Sequence, residues 1–284
     1  MNNSSREMGA GSLVVFFVLT FAFTWSICAA MLLFRAEIEA ATGPIGYFNP
    51  VFILAVWGPA IAAFALISLR YGLKGLANYL RRLTLWRMHW GWWAFLVLGV
   101  PAARYFGAAL NGELSEPFPF SPWFTVIPAL LMVMIIGPVE EFGWRGFALP
   151  LLQQKMAPFW ATIVLGVIWG IWHYPAFIIE GTRQAEAGGF SPMFIVATTL
   201  FSFAFTAMFN ASRGSILIPA LFHFQLNNDA FPDGGLGGLL AMSVAMVIIV
   251  WLTRDRMFRR GGGVTELLMA REESAGADVR RRDE

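Results

Sequence analysis

The chain has 284 residues, of which 57% are hydrophobic and 13% charged, with a mean hydropathy of +0.62. A soluble domain carries about 45–50% apolar and about 25% charged residues, so disorder, a coiled coil and an ordinary soluble domain are excluded for most of the chain. Net charge is only +2, the basic residues mostly flank apolar runs, which predicts no nucleic-acid partner, and the one cysteine, Cys28, leaves no intramolecular disulfide.

A membrane-spanning helix needs about 20 mostly apolar residues. The first such run, Met8 to Phe34, carries no charge. A signal peptide's apolar region is about 7–15 residues, so this run reads as an anchor. Further runs follow at Tyr47 to Leu69, Trp90 to Leu110, Trp123 to Leu152, Pro158 to Ile179, Pro192 to Ala211, Ser215 to Ala230 and Gly235 to Thr253. The fold class is therefore all-α: a polytopic membrane helical bundle of about eight transmembrane helices.

The connecting segments alternate in charge. Arg70, Lys74, Arg81, Arg82 and Arg87 follow the second run without an acid, and Arg254, Arg256, Arg259 and Arg260 follow the last. Lys155 and Arg213 stand alone in their loops. The intervening loops are mixed or acidic, with Arg35, Glu37 and Glu39, then Glu113 and Glu116, then Glu180, Arg183 and Glu186, then Asp229 and Asp233. The positive-inside rule puts both termini in the cytoplasm, with the protein in the cell membrane, and the even number of runs agrees. Residues 1–253 are predicted to form one membrane domain. Within it, bases and leucines interleave over 70–93, which predicts a helix lying among lipid headgroups. The tail, 254–284, is expected to be a cytoplasmic, disordered segment.

Charged groups inside a span are costly, so they are functional hypotheses by default. Arg104 lies near the outer end of its helix, where it is expected to snorkel in a structural role. His89 reads as an interface residue. Five others sit deeper. In Pro138-Val139-Glu140-Glu141-Phe142-Gly143-Trp144-Arg145, neighbouring helix positions point about 100° apart, so the two acids face different ways. Glu141 and Arg145, four apart, can pair on one face as structural support. Glu140 is left as the working carboxylate. His173 lies in Trp169-Gly170-Ile171-Trp172-His173, and His223 and Asn227, also four apart, share a helix face.

One carboxylate, two histidines and one amide from three spans suit attack of an activated water on a carbonyl. Glu140 would serve as general base, with His and Asn side chains donating to the developing oxyanion. Alternatively, Glu140, His173 and His223 are three zinc ligands of the His₂Glu kind, leaving a fourth position for water. No serine or cysteine stands out as a nucleophile.

These motifs resemble the CAAX-protease and bacteriocin-processing family of intramembrane proteases, which includes the prenyl-protein endoproteases. Glu-Glu-x-x-x-Arg is matched by Glu140, Glu141 and Arg145; aromatic-x-x-x-His by Trp169 and His173; His-x-x-x-Asn by His223 and Asn227. The resemblance covers about 120–232. It implies a central catalytic cavity entered from the cytoplasmic side, Glu140 as general base, His173 positioning the water, and His223 and Asn227 holding the oxyanion. The substrate implied is a membrane-associated peptide or protein, lipidated or plain. Two alternatives remain at this point. One is a non-catalytic scaffold or bacteriocin-immunity protein, which the family also contains; the other is a transporter with a buried Glu/His relay.

Overall fold

The computed structural model describes residues 8–114 and 117–269. All regular structure among them is helical. Six helices are long and apolar enough to cross a membrane: α1 (Ala10–Leu33), α4 (Gly58–Thr84), α5 (Trp90–Asn111), α6 (Trp123–Gln153), α8 (Pro192–Ala211) and α10 (Gly235–Met257). Two short helices, α2 (Arg35–Thr42) and α3 (Pro50–Val56), lie between α1 and α4. Two apolar helices are shorter: α7 (Pro158–Trp172) and α9 (Leu217–Leu226). At 1.5 Å per residue, α7 reaches about 22 Å and α9 about 15 Å, less than a hydrocarbon core of about 30 Å. The eight apolar runs are thus six full-length helices and two partial ones, in a polytopic bundle.

Helix–helix contacts use small residues, which let backbones approach closely without a hydrophobic driving force in lipid. Gly166 and Gly170 of α7 lie against Thr199 and Thr198 of α8, and Thr162 Oγ1 donates to Thr206 Oγ1 at 2.8 Å. Gly107 of α5 lies against Gly234 and Gly238 at the start of α10.

The second apolar run does not form one helix. Asn49 accepts from Val51 N at 2.9 Å and Pro50 fills the first helical position, so α3 starts there and ends at Trp57. After it, α4 continues past the apolar run through Gly72, whose φ of 68° favours glycine.

That continuation carries the basic segment expected to lie among headgroups over 70–93. Most of its residues from 73 to 90 are exposed or half-buried, but two side chains turn into the protein: Tyr79 is 0% and Arg82 2% exposed. Arg82 donates to three backbone carbonyls, Gly214 at 2.7 Å, Gly146 at 2.8 Å and Leu267 at 3.1 Å. A charge run reads as solvated only until tertiary contacts supply acceptors.

The tail differs as well. Helix α10 runs to Met257, and the segment after it packs on the bundle. Gln153 Nε2 donates to Val264 O at 2.7 Å, Val264 N to Asn210 Oδ1 at 2.9 Å, and Asn78 exchanges two bonds with the Met269 backbone. Leu267 is 6% exposed. The disorder expected for the tail therefore does not hold for 254–269; its remainder, 270–284, and Glu116 lie outside the described residues.

Candidate active site

Helix α6 is broken in its middle. Pro138 has no N–H to give, and the backbone departs from helical geometry at Ile136 (φ −98°, ψ −92°). The carbonyl of Ile135 accepts instead from Trp57 Nε1 at 2.8 Å. The helix restarts at Glu140 and passes at once into a π-helical turn over Trp144–Ala148. A π turn frees carbonyls, and distant side chains take them up. Tyr79 Oη donates to Phe142 O, and Arg82 Nη1 to Gly146 O. Gly143 makes the restart possible against α4, since a Cβ there would lie 2.5 Å from the Pro59 carbonyl oxygen.

The two acids diverge, as their adjacency requires. Glu140, 4% exposed, accepts at Oε2 from Trp169 Nε1 at 2.8 Å and Trp144 Nε1 at 3.2 Å. Glu141, fully buried, accepts from Arg145 Nη1 at 3.0 Å. Arg145 is fully buried too; its Nη2 donates to Ser202 Oγ at 2.9 Å, and its guanidinium lies over the Phe205 ring at 3.8 Å and the Trp169 ring at 4.5 Å. The pair is not isolated, because Glu141 Oε1 also meets His223 Nδ1 at 2.7 Å.

The histidines gather on one indole. The ring of Trp169 lies 5.3 Å from that of His173 and 5.6 Å from that of His223. His173 Nδ1 is 2.7 Å from Trp169 O. A carbonyl only accepts, so Nδ1 carries the proton and Nε2 of the neutral ring is left as an acceptor. Glu141 fixes His223 in the same way, with Nδ1–H donating and Nε2 turned the other way.

That Nε2 and the Asn227 amide converge on Gly137. A Cβ at Gly137 would lie 2.2 Å from Asn227 Nδ2 and 2.6 Å from His223 Nε2. Gly137 thus keeps open the space that both groups face. Its place in the sequence reads only as a helix kink; its contacts depend on the register of α9 against α6.

Glu140, Trp169, His173, His223 and Asn227 all line one cavity of about 350 Å³. Its wall also holds Arg104, whose side chain has specific acceptors: Nε donates to Pro232 O at 2.9 Å and Nη1 to Asn228 O at 2.9 Å, tying down the loop after α9. Sequence reasoning also missed the mouth. There Arg183 makes a two-pronged pair with Asp229 and lies over the Tyr47 ring at 4.0 Å. Burial pushes the Tyr47 hydroxyl up to about 12, so it stays neutral.

Among the described residues no group of three His, Cys, Asp or Glu side chains is placed to hold a metal ion. Both histidines turn Nε2 away from their Nδ1 partners, and the Glu140 carboxylate is engaged by two indoles at Oε2 alone.

The fold is that of an all-helical, polytopic membrane protein, and its motif order resembles that of the CAAX-protease and bacteriocin-processing family. Residues 122–228 match the Rce1-like family, described as type II CAAX prenyl endopeptidase Rce1-like. The chain is also similar to CAAX prenyl protease 2 of Methanococcus maripaludis, 29% identical over 139 residues, which cover 47% of this chain and 51% of that protein. The chain thus spans about half the length of the curated relative it matches. The match includes Glu140, His173, His223 and Asn227 and leaves α1 to α5 outside.

Proposed function

We propose that the protein is an intramembrane endopeptidase that hydrolyses a peptide bond of a membrane-associated peptide or protein by water activated at Glu140. The observation that carries this reading is the Glu140 carboxylate, held at one oxygen by two indole N–H groups in a cavity wall shared with His173, His223 and Asn227. Likeness to a CAAX prenyl protease adds a prenylated chain to the candidate substrates.

In this mechanism a water sits between Glu140 and the scissile carbonyl, with His173 Nε2 accepting its second hydrogen. Glu140 removes a proton as the water oxygen bonds to the carbonyl carbon, and the carbonyl π electrons move to oxygen. Asn227 Nδ2 donates to that oxyanion. His223 donates from Nε2 when its ring is an imidazolium, with Glu141 as counter-charge. Collapse of the tetrahedral species breaks the C–N bond, and Glu140 returns its proton to the leaving amine. Glu141 and Arg145 position His223. Among the described residues Glu140, His173 and His223 are not grouped as a metal site, and in this reading the carboxylate of Glu140 activates the water.

The test uses purified protein and a panel of lipidated and plain quenched peptides, with and without a strong chelator. Glu140→Gln is expected to lower kcat by about 10²–10⁴, the usual weight of a positioned base. His173→Ala and His223→Ala are expected to abolish cleavage while folded protein stays in the membrane. Wild-type activity should survive chelation, and loss with rescue by zinc would move the three residues into a metal site. Normal cleavage by all three variants would defeat the peptidase reading. A deletion phenotype rescued by Glu140→Ala would favour a scaffold, and transport without hydrolysis a Glu/His relay.

A further inference from the structure

The bundle has two chemically different ends. At one end lie Arg81, Arg82 and Arg87 between α4 and α5, Lys155 between α6 and α7, Arg213 between α8 and α9, and Arg254, Arg256, Arg259 and Arg260 at the end of α10; Asp255 and Glu266 are the described acids there. At the other end lie Glu37, Glu39, Glu113, Glu180, Glu186, Asp229 and Asp233, against Arg35 and Arg183. Cross-loop contacts confirm each grouping. Arg35 reaches Glu180 O at 3.4 Å and Arg183 pairs with Asp229, while Gln153 bonds Asn210 at 3.1 Å at the basic end.

The cavity belongs to one end. Thr24 and Cys28 come from the second half of α1, Arg104 from the second half of α5, Trp169 and Trp172 from the last turn of α7, Phe194 and Ala197 from the first turns of α8, and Gly238 and Met242 from the first turns of α10. Given the alternating direction of the helices, each of these halves is the one nearer the acidic loops. Tyr47, Arg183 and Asp233 continue the wall into those loops, and Asp233 is exposed. Among the described residues, no lining side chain comes from a loop of the basic end. Below Glu140, the way is filled by buried Trp144, Arg145, Phe147 and Tyr79.

Short loops rich in Lys and Arg stay in the cytoplasm. We propose that the cavity is entered from the extracytoplasmic side, so that its substrate is a segment of an exported or membrane-anchored polypeptide presented outside the cytoplasm. The inference rests on the peptidase reading for the word substrate, but the side of access stands on charge and cavity alone. It is opposite to the cytoplasmic entry that the family resemblance implies.

Single cysteines in a Cys28→Ala background test it without turnover: Glu186→Cys in an acidic loop, Lys155→Cys in a basic loop, and Ala197→Cys, a one-atom enlargement, in the cavity wall. Each full-length variant is exposed in intact spheroplasts to a small, charged, membrane-impermeant thiosulfonate. The expected result is modification of Glu186→Cys and Ala197→Cys at once, and of Lys155→Cys only after permeabilisation. Modification of Lys155→Cys but not Glu186→Cys would overturn the orientation. Modification of Ala197→Cys only when the basic face is exposed would overturn the side of access. Peptide added outside sealed wild-type vesicles is expected to be cleaved in right-side-out and not in inside-out preparations. Absence of cleavage in both, with the expected labelling, would count against the peptidase reading and leave the side of access supported.

Discussion

The two ends of this bundle are built from the same eight apolar segments, yet they use their polar residues differently. At the acidic end, polar groups face a space: Glu140, His173, His223 and Asn227 line a cavity whose mouth is framed by Tyr47, Arg183 and Asp233. At the basic end, polar groups face one another and the backbone. Arg82 gathers three carbonyls, Gln153 and Asn210 exchange hydrogen bonds, and the segment 264–269 lies across them. A buried polar group must find partners in either setting. Where protein supplies most of them the end is closed; where some face a cavity, water or a substrate can be the partner. The Glu141–Arg145 pair sits between the two, bonded to the closed side through Ser202 and to the open side through His223.

The sharpest way to break that arrangement is at the pair. Arg145→Met leaves the buried Glu141 carboxylate with His223 as its remaining side-chain hydrogen-bond partner, and removing one member of a buried ion pair costs about 3–5 kcal/mol. The expected outcome is a large fall in thermal stability of the detergent-solubilised protein. The double variant Glu141→Gln with Arg145→Met removes both charges and keeps an acceptor for His223, so it should recover most of the loss. A double variant as unstable as the single one would show that the guanidinium's packing against Phe205 and Trp169, not its charge, holds the site together.

Gly137→Ala separates function from stability at the open end. The added methyl would stand 2.2 Å from Asn227 Nδ2 and 2.6 Å from His223 Nε2, so both groups must shift. Loss of one oxyanion donor costs about 10²–10³ in kcat, and a fall of about a hundredfold or more is expected here with little change in melting temperature. Unchanged kcat would remove His223 and Asn227 from the oxyanion role.

Much of the open end was legible from the chain. Adjacent acids must diverge on a helix, an acid and an arginine four apart can pair, and a buried histidine is costly without a use; these local rules placed Glu140, Glu141, Arg145, His173 and His223 in one constellation. What was not legible depends on contacts between distant segments. Arg82 and Arg104 look like solvated or snorkelling cations because nothing near them in sequence offers acceptors; their acceptors are carbonyls at 146, 214, 267, 228 and 232. The indole donors to Glu140 share that difficulty, since a tryptophan in an apolar run reads as packing. The break at Trp57 is hidden by an unbroken apolar pattern.

The closed end offers the smallest effect and a test of what closure is worth. Asn78 exchanges two hydrogen bonds with the Met269 backbone, Nδ2 to the carbonyl at 3.2 Å and Met269 N to Oδ1 at 2.7 Å. Asn78 is only half-buried, so water can replace the lost partner, and a net loss of about 1 kcal/mol is expected for Asn78→Ala. That is too little to unfold the bundle but enough to release the end of the docked segment several times more often. Limited proteolysis should then cleave near Met269 faster in the variant, with unchanged kcat, because the nearest cavity-lining groups belong to the other end. A fall in kcat without faster proteolysis would mean that the two ends are coupled through α4 and the Tyr79–Phe142 contact, and that the closed end helps to hold the broken middle of α6 in place.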